Sequence, residues 1–339
     1  MTAPRTRVVR RPVHGVLLLD KPLGLSSNHA LQKCKWLLRA QKAGHTGTLD
    51  PLATGVLPLC FGAATKFSQL QLDADKTYQA VAQLGVKTTT GDAEGDIVQQ
   101  RPVSDITPER LAEVARQFTG AIAQVPPMYS ALKKDGKALY QYARAGEEVE
   151  RTPRNVTIFE LNLTLARSER AQNAIEIIAK VSKGTYIRTL GEDVGEALGC
   201  GAHLISLRRI ATGHFNISQC VTLDAFEAMS EEERLACLKP VAALLPDHTP
   251  VTLAADDAGR FLSGLRRRGD WPDHELVAVF APSPAGGGLG WGHAAELLPQ
   301  PSPGGGRNCF LGTGHIKAGE LIPGRLLSPP EIQQILETP

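Results

Sequence analysis

The stretch GHTGTLDPLATGVLP, residues 44–58, carries a histidine, His45, a solitary carboxylate, Asp50, and the glycines Gly44, Gly47 and Gly55. Pro51 interrupts any helix, and too few apolar residues precede Val56 for a core strand, so the stretch reads as a structured loop. Three chemistries compete for it. A phosphate-binding loop requires G-x-x-x-x-G-K-[ST], and no Gly-Lys-Ser/Thr follows the glycines; the dinucleotide fingerprint is missing here too. Glycoside hydrolysis needs two carboxylates flanking the scissile bond, and the loop supplies Asp50 alone, although a second acid can arrive from elsewhere in the chain. The third chemistry uses an aspartate as a nucleophile or as the electrostatic partner of a developing cation, with glycines giving a substrate close access to backbone. Taken alone, Asp-Pro after Thr-Leu is equally a plain turn.

A catalytic loop needs rigid neighbours. Residues 15–20 are a short continuous apolar run closed by Lys21 and Pro22, a strand followed by a turn. Ser26 or Ser27 caps a helix in which Ala30, Leu31, Cys34, Leu37 and Leu38 recur at helical spacing, leaving Lys33, Lys35 and Arg39 outward. A second apolar segment, 56–61, comes after the loop. In residues 76–84, Tyr78, Ala80, Ala82 and Leu84 share one side and Gln79 and Gln83 the other, the pattern of a half-buried strand. Residues 111–118 are predicted helical, and Pro126-Pro127 ends the segment after that helix. Residues 129–154, polar, basic and rich in Tyr, Gly and Lys, predict a long excursion from the core. Strand patterns return at 156–165 and 175–181, and a helix with Ile187, Leu190, Val194 and Leu198 on one face runs on to Gly199. Strands separated by helices and hairpins, without a regular βαβ period, predict an α+β fold with a mixed, mostly antiparallel sheet. A break near 246–250 precedes a second region of short strands, including 276–280 and 308–311, and residues 282–306, dominated by Gly, Pro, Ser and Ala, predict a flexible insertion.

With 42% hydrophobic residues in 339, the chain has the composition of a globular protein with a sizeable core. Its 37 basic and 35 acidic residues leave a net charge of +2, which by itself announces no polyanionic partner. Local charge says more. Arg5, Arg7, Arg10 and Arg11 form a basic arm, and Lys33, Lys35, Arg39 and Lys42 lie on one predicted helix and its exit, unopposed by any acid; such runs most often mark a solvated face. Cys34, Cys60, Cys200, Cys220, Cys237 and Cys309 are scattered, with no C-x-x-C pair and no zinc-finger histidines, so the reading is reduced thiols with neither a disulfide framework nor a metal site. No apolar region of signal-peptide length follows the N-terminal arginines, and residues 16–19 are too short to span a bilayer. A cytoplasmic protein with no membrane partner is expected.

The loop does not stand alone. GHTGTLDPLATG, residues 44–55, resembles the catalytic motif of the TruB family of bacterial tRNA pseudouridine-55 synthases. Supporting matches are GVLLLDKP (15–22), ATKF (64–67), DKTY (75–78), PPMYSAL (126–132) and KGTYIRTL (183–190), in the family's order within residues 14–215. The resemblance implies isomerisation of one uridine in the tRNA T-loop, from an N-glycosidic to a C-glycosidic attachment, without cofactor or metal. It implies a pseudouridine-synthase core over residues 14–245. Asp50 corresponds to the nucleophile, with attack on ribose C1′ or on base C6 both open. Arg188 corresponds to the arginine that pairs with it, since a guanidinium can hold a carboxylate bidentately. Tyr78 corresponds to the tyrosine that stacks on the target base and assists proton removal from C5. Read from the residues alone, Arg188 is a surface arginine on an amphipathic helix and Tyr78 a core aromatic.

A target inside a folded T-loop must be extracted, at an unstacking cost of a few kcal/mol. His45, on an exposed loop between Gly44 and Gly47, corresponds to the family's histidine that inserts into the space left behind. Lys21 corresponds to a lysine that supports the active site. Lys66 and Tyr186 correspond to substrate contacts, to phosphate and near the base. Asp92, in TGDAEG (90–95), matches an acid near the site, or belongs to a plain turn. The excursion at 129–154, with Lys133, Lys134, Lys137, Tyr140, Tyr142 and Arg144, resembles the family's RNA-clasping insertion, which combines phosphate contacts with base stacking and orders on RNA.

Beyond residue 250 the likeness narrows to FLSGLRRR (261–268) and FLGTG (310–314), faint matches to a small β-rich RNA-binding PUA domain expected over 250–330 and interrupted at 282–306. The arm at 1–13 lies outside the family core and is expected to be disordered. Two classes stay open: a cofactor-free RNA isomerase, and an RNA-folding protein for which isomerisation is secondary. Chemistry needs the Asp50 carboxylate, whereas folding assistance tolerates an isosteric Asn. Nucleobase hydrolysis is disfavoured, because the motif holds no second acid to activate water. No motif marks an oligomer interface or a protein partner, so a monomer acting on the tRNA T-stem-loop is expected.

Overall fold

A Val-Leu-Leu-Leu run without alternation demands a strand covered on both faces, and β1 (Gly15–Lys21) is buried almost throughout. The computed structural model describes residues 9–166, 173–282 and 308–337. Arg5, Arg7 and residues 283–306 of the insertion expected at 282–306 lie outside the described residues, while Pro282 ends a strand. After β1 comes α1 (Ser27–Leu37), capped by Ser26, whose side chain accepts from the His29 N–H, with Ala30, Leu31, Cys34 and Leu37 buried as their spacing predicts. There follow β2 (Ala43–His45), β3 (Ala53–Phe61), α2 (Ser68–Leu72), β4 (Lys76–Leu84), β5 (Val86–Thr88), β6 (Ile97–Gln100), α3 (Pro108–Phe118) and β7 (Gly120–Gln124). The excursion carries a two-residue ladder, β8 (Lys133–Lys134) with β9 (Lys137–Ala138), and a short helix, α4 (Leu139–Arg144). Next are β10 (Arg154–Leu165), β11 (Ala174–Val181), α5 (Ile187–Ala197), β12 (Ala202–Thr212), β13 (Phe215–Asn216), β14 (Val221–Thr222), α6 (Leu223–Ala228) and α7 (Glu231–Ala236). The last elements are β15 (Thr249–Thr252), α8 (Ala255–Leu262), β16 (Arg267–Arg268), β17 (His274–Pro282), β18 (Asn308–Lys317), β19 (Glu320–Leu326) and α9 (Pro329–Glu337).

The main sheet is mixed, in the order β14-β1-β3-β12-β4-β11-β10-β7, with β2 on β3 and β13 on β12. Only β1 with β14 and β3 with β12 pair in parallel; the other described neighbours are antiparallel. A second sheet runs β15-β17-β18-β19-β16. Successive side chains of a strand point to opposite faces, and β1 and β3 use both. Leu17, Leu19, Leu57 and Leu59 join the core with α1, α3 and α5, while Val16, Leu18, Val56 and Cys60 join Phe261, Val277, Val279, Leu311 and Ile332 of the C-terminal elements. The C-terminal elements therefore close over the back of β1 and of β3, the strand that follows the loop. Each such leucine taken from water contributes about 1.5–3 kcal/mol.

Two expectations change. β3 begins at Ala53, not at Val56, so the loop contracts to residues 46–52. Ladder pairing, not apolar content, makes residues 53–55 a strand: Ala53, Thr54 and Gly55 lie opposite Leu207, Arg208 and Arg209 of β12, and Gly55 lies opposite Lys21 of β1. The basic cluster on α1 is also not unopposed. Lys33 pairs with Glu227 at 2.6 Å, Arg11 with Glu231 at 2.6 Å, and Arg39 with the same Glu231, so α6 and α7 supply acids that the local sequence lacks. No helix among the described residues is long and apolar enough to cross a membrane.

Candidate active site

Strand register brings the site together. Arg209 of β12 lies opposite Gly55 of β3 on one side and Tyr78 of β4 on the other, so the end of the loop and the tyrosine are held one strand apart from a common neighbour. Gly55 makes this possible: at φ +104° a Cβ there would stand 2.1 Å from the Arg209 carbonyl oxygen. The loop is fixed from α1 as well. The Ser27 hydroxyl donates to the Leu49 carbonyl (3.0 Å) and accepts from the Leu49 N–H (2.7 Å).

A cavity of about 340 Å³ opens beside the loop, lined by Asp50, Tyr78, Tyr186, Arg188 and Arg209 among others. Arg188 is not a surface arginine. Its side chain is 5% exposed, and its Nη2 lies 2.9 Å from Asp50 Oδ2 while its Nε lies 3.6 Å from Asp92 Oδ2. Nη1 also donates to the Thr90 carbonyl (2.8 Å) and Nη2 to that of Tyr129 (2.7 Å). Three chain segments, the Asp50 loop, the turn at 90–92 and the stretch at Tyr129, thus meet on one guanidinium, which lies inside the protein because the first turn of α5, Ile187 to Leu190, is buried. Asp92 is both readings at once: it closes a turn by accepting from Thr90 Oγ1 (2.5 Å) and Glu94 N (3.1 Å), and that turn sets its carboxylate under Arg188. Asp50 differs in exposure, with 42% of its side chain open to the cavity mouth.

Tyr78 and Tyr186 are both half-buried cavity walls. Buried Gln124 fixes the Tyr186 backbone, donating to its carbonyl (3.1 Å) and accepting from its N–H (2.8 Å). Burial pushes the Tyr186 phenol up, opposed by the neighbouring Ser130 hydroxyl and the charges of Arg154 and Arg188. Lys21 is fully buried and donates to the Pro22 (2.8 Å) and Leu25 (2.6 Å) carbonyls. Burial drives its ammonium down to about 8 against the attraction of Asp50. The turn it holds contacts the loop through Gly24 N–H to the Pro51 carbonyl (2.9 Å).

Two expected substrate contacts are set differently from the exposed groups the sequence predicts. His45 is half-buried on β2, opposite Leu59 of β3, and not on an exposed loop; burial first, and Arg209 second, lower its pKa below the usual 6.5. Lys66 points to α9, pairing with Glu331 at 2.6 Å and donating to the Leu326 carbonyl at 3.2 Å, so its ammonium is occupied by the C-terminal elements. Two cationic wall residues escaped sequence reasoning. Lys76 is buried, donates to the Leu72 carbonyl (2.7 Å) and that of Ala74, and is pushed down to about 8 by burial. Its place on the Tyr78 face of β4 was the available signal. Arg209 had none, because its position follows from long-range register.

Residues 35–187 match the model of the TruB family pseudouridylate synthase N-terminal domain, and residues 188–246 that of the tRNA pseudouridylate synthase B C-terminal domain. Over 336 residues the chain is 60% identical to the tRNA pseudouridine synthase B of Verminephrobacter eiseniae (strain EF01-2), covering 98% of this chain and 95% of that one. It is 62% identical over 260 residues to the tRNA pseudouridine synthase B of Cupriavidus pinatubonensis (strain JMP 134 / LMG 1197), covering 77% and 82%. The crystal structure of a Cbf5-Nop10-Gar1 complex shares the fold, with a TM-score of 0.61 at 23% identity over 98% of this chain and 87% of that one. The matched models and the named relatives make this chain a pseudouridylate synthase, an isomerase acting on RNA. The class divides into families, and the two matched models with the identity of the relatives decide between them. The chain belongs to the TruB family.

Proposed function

We propose that this enzyme converts the T-loop uridine at position 55 of tRNA to pseudouridine in the cytoplasm, with Asp50 as nucleophile. The observation that carries the reading is Asp50 at the cavity mouth, 2.9 Å from a guanidinium that is itself buried. The tRNA substrate is supported by the relatives, which are named tRNA pseudouridine synthase B.

The reaction exchanges one bond for another. The N1–C1′ bond of the flipped uridine breaks, the base turns, C5 bonds to C1′, the C5 proton leaves and N1 gains one. Asp50 bonds transiently either to C1′, trapping the cationic charge that develops there as N1 departs, or to C6 of the base, and its bond breaks again once C5 has taken C1′, which returns the free carboxylate. Arg188 aims the carboxylate and Asp92 holds Arg188 from behind. Tyr78 stacks on the base and takes part in removal of the C5 proton, while Tyr186 packs beside it. His45 fills the space vacated by the base, and Lys21 supports the loop. Residues 14–245 act as the catalytic unit, residues 129–154 clasp the stem-loop, and a PUA-like region over 250–330 adds RNA contacts. The exchange is internal to one nucleotide, so no redox partner or nucleotide cofactor enters it.

The test is tritium release from a T-stem-loop RNA labelled at uridine C5, without added metal or nucleotide, for the wild type and Asp50→Asn. Release by the wild type alone is the expected result. No release by either protein, despite tight RNA binding, overturns the enzyme reading in favour of RNA remodelling, and free uracil among the products overturns it in favour of hydrolysis.

A further inference from the structure

Arg209 is a buried cation, 1% exposed, in the wall of the cavity. Its Nε donates to the Val56 carbonyl at 2.8 Å and its Nη2 to the Gly47 carbonyl at 3.2 Å. These two acceptors bracket Asp50. Gly47 precedes it by three residues in the loop, and Val56 follows it by six in β3. At the same residue the main chain of β12 is held against Gly55, with the strands so close that no side chain fits between them. Gly47 sits at φ +82°, and a Cβ there would lie 3.3 Å from Arg209 Nη1, so the guanidinium packs directly on the turn.

We propose that Arg209 is a positioning residue for the isomerisation: its guanidinium ties the two ends of the Asp50 loop and so sets the reach of the carboxylate into the cavity. The geometry needs the planar fork of arginine. A lysine at this position keeps the charge, but its single ammonium replaces two nitrogens with fixed separation and direction. Arg188 grips Asp50 at its carboxylate, whereas Arg209 grips the backbone that carries it. The proposal rests on Asp50 being the nucleophile, so its test reads the loop separately from the chemistry.

Arg209→Lys and Arg209→Gln are compared with the wild type and with Asp50→Asn by steady-state tritium release and by hydrogen exchange of the full-length protein. Misplacement of a reacting group by about 1 Å costs on the order of 100-fold in rate. Both Arg209 variants are therefore expected to lose kcat on that scale with KM held within about twofold, the mark of an interaction realised in the transition state. Amides of residues 46–52 are expected to exchange faster in both, while β1 and β4 exchange as in the wild type. Full kcat in Arg209→Lys overturns the proposal, because charge alone would then suffice. Unchanged exchange at 46–52 overturns the tie even if turnover falls. Failure of both variants to fold also overturns it, since Arg209 would then be a folding residue. Turnover by Asp50→Asn refutes instead the nucleophile reading on which the catalytic consequence depends.

Discussion

Arg188 serves two carboxylates of unequal burial, and that inequality can be measured. At 3.6 Å from Asp92 Oδ2, with an effective dielectric of about 20, the gross attraction is roughly 4–5 kcal/mol. Asp92 is 4% exposed in this pair, so water cannot replace the guanidinium, and removing one partner of a buried pair costs about 3–5 kcal/mol. Asp50, at 2.9 Å, is closer, yet 42% of its side chain is exposed, where a pair contributes about 0–1 kcal/mol. Arg188→Met is therefore expected to lose about 3–5 kcal/mol, chiefly through Asp92. Adding Asp92→Asn should recover roughly 2 kcal/mol by neutralising the stranded charge, whereas adding Asp50→Asn should recover less than about 1 kcal/mol. The carbonyls of Thr90 and Tyr129 lose their donor in all three variants, so that loss cancels in the comparison. Urea unfolding followed by circular dichroism gives the differences from midpoint and slope. If Asp50→Asn recovers as much as Asp92→Asn, the closer contact dominates and the argument from burial is wrong.

Gly55 and His14 offer two further measurable outcomes. Gly55→Ala places a methyl 2.1 Å from the Arg209 carbonyl at φ +104°, so it should cost more than about 4 kcal/mol, the range of the most damaging single substitutions. Gly44→Ala meets nothing within 4 Å and should shift the thermal midpoint by no more than about 2 °C; equal losses would refute the close-approach argument. His14 accepts from the Ala63 N–H through Nδ1 and faces Gln334 Oε1 through Nε2, both at 3.0 Å, so its proton is assigned to Nε2. Burial lowers its pKa below 6.5 against the opposing pulls of Gln334 and Glu331. The unfolded chain thus binds the proton more readily, and the stability from this site is complete above pH 6.5 and lost as pH falls through the folded value. Exchange at α9, corrected for intrinsic rate, should be faster at pH 5 than at pH 7.5, and a His14→Gln variant should lose most of that difference.

Local rules carried much of the reading. Ser26, the spacing of Ala30, Leu31, Cys34 and Leu37, and the alternation from Lys76 to Leu84 place α1 and β4 because caps and periodicity act within a few residues. The unbroken apolar run of β1 marked a strand, without saying what covers its two faces. The features that stayed hidden depend on pairing across long separations. β3 starts early because β12 lies beside it, more than 150 residues on, and Lys66 turns to Glu331, 265 residues away. The Arg188–Asp50 pair became an expectation only through the family resemblance. No local pattern separates an arginine on a helix face from one turned under its first turn.

In the sheet order, β12 stands between β3 and β4, and the chain reaches it only at Ala202. Until then β3, which follows the Asp50 loop, and β4, which carries Tyr78, lack the strand that joins them, and each has an edge of unpaired main-chain groups. A nascent chain leaving the ribosome therefore cannot acquire activity piecemeal. At about 5–20 residues per second, both edges stay open for several seconds between completion of β4 and arrival of β12. Such edges invite pairing with other chains. This stretch of synthesis is the point at which early termination or premature release would yield aggregate instead of a weakened enzyme.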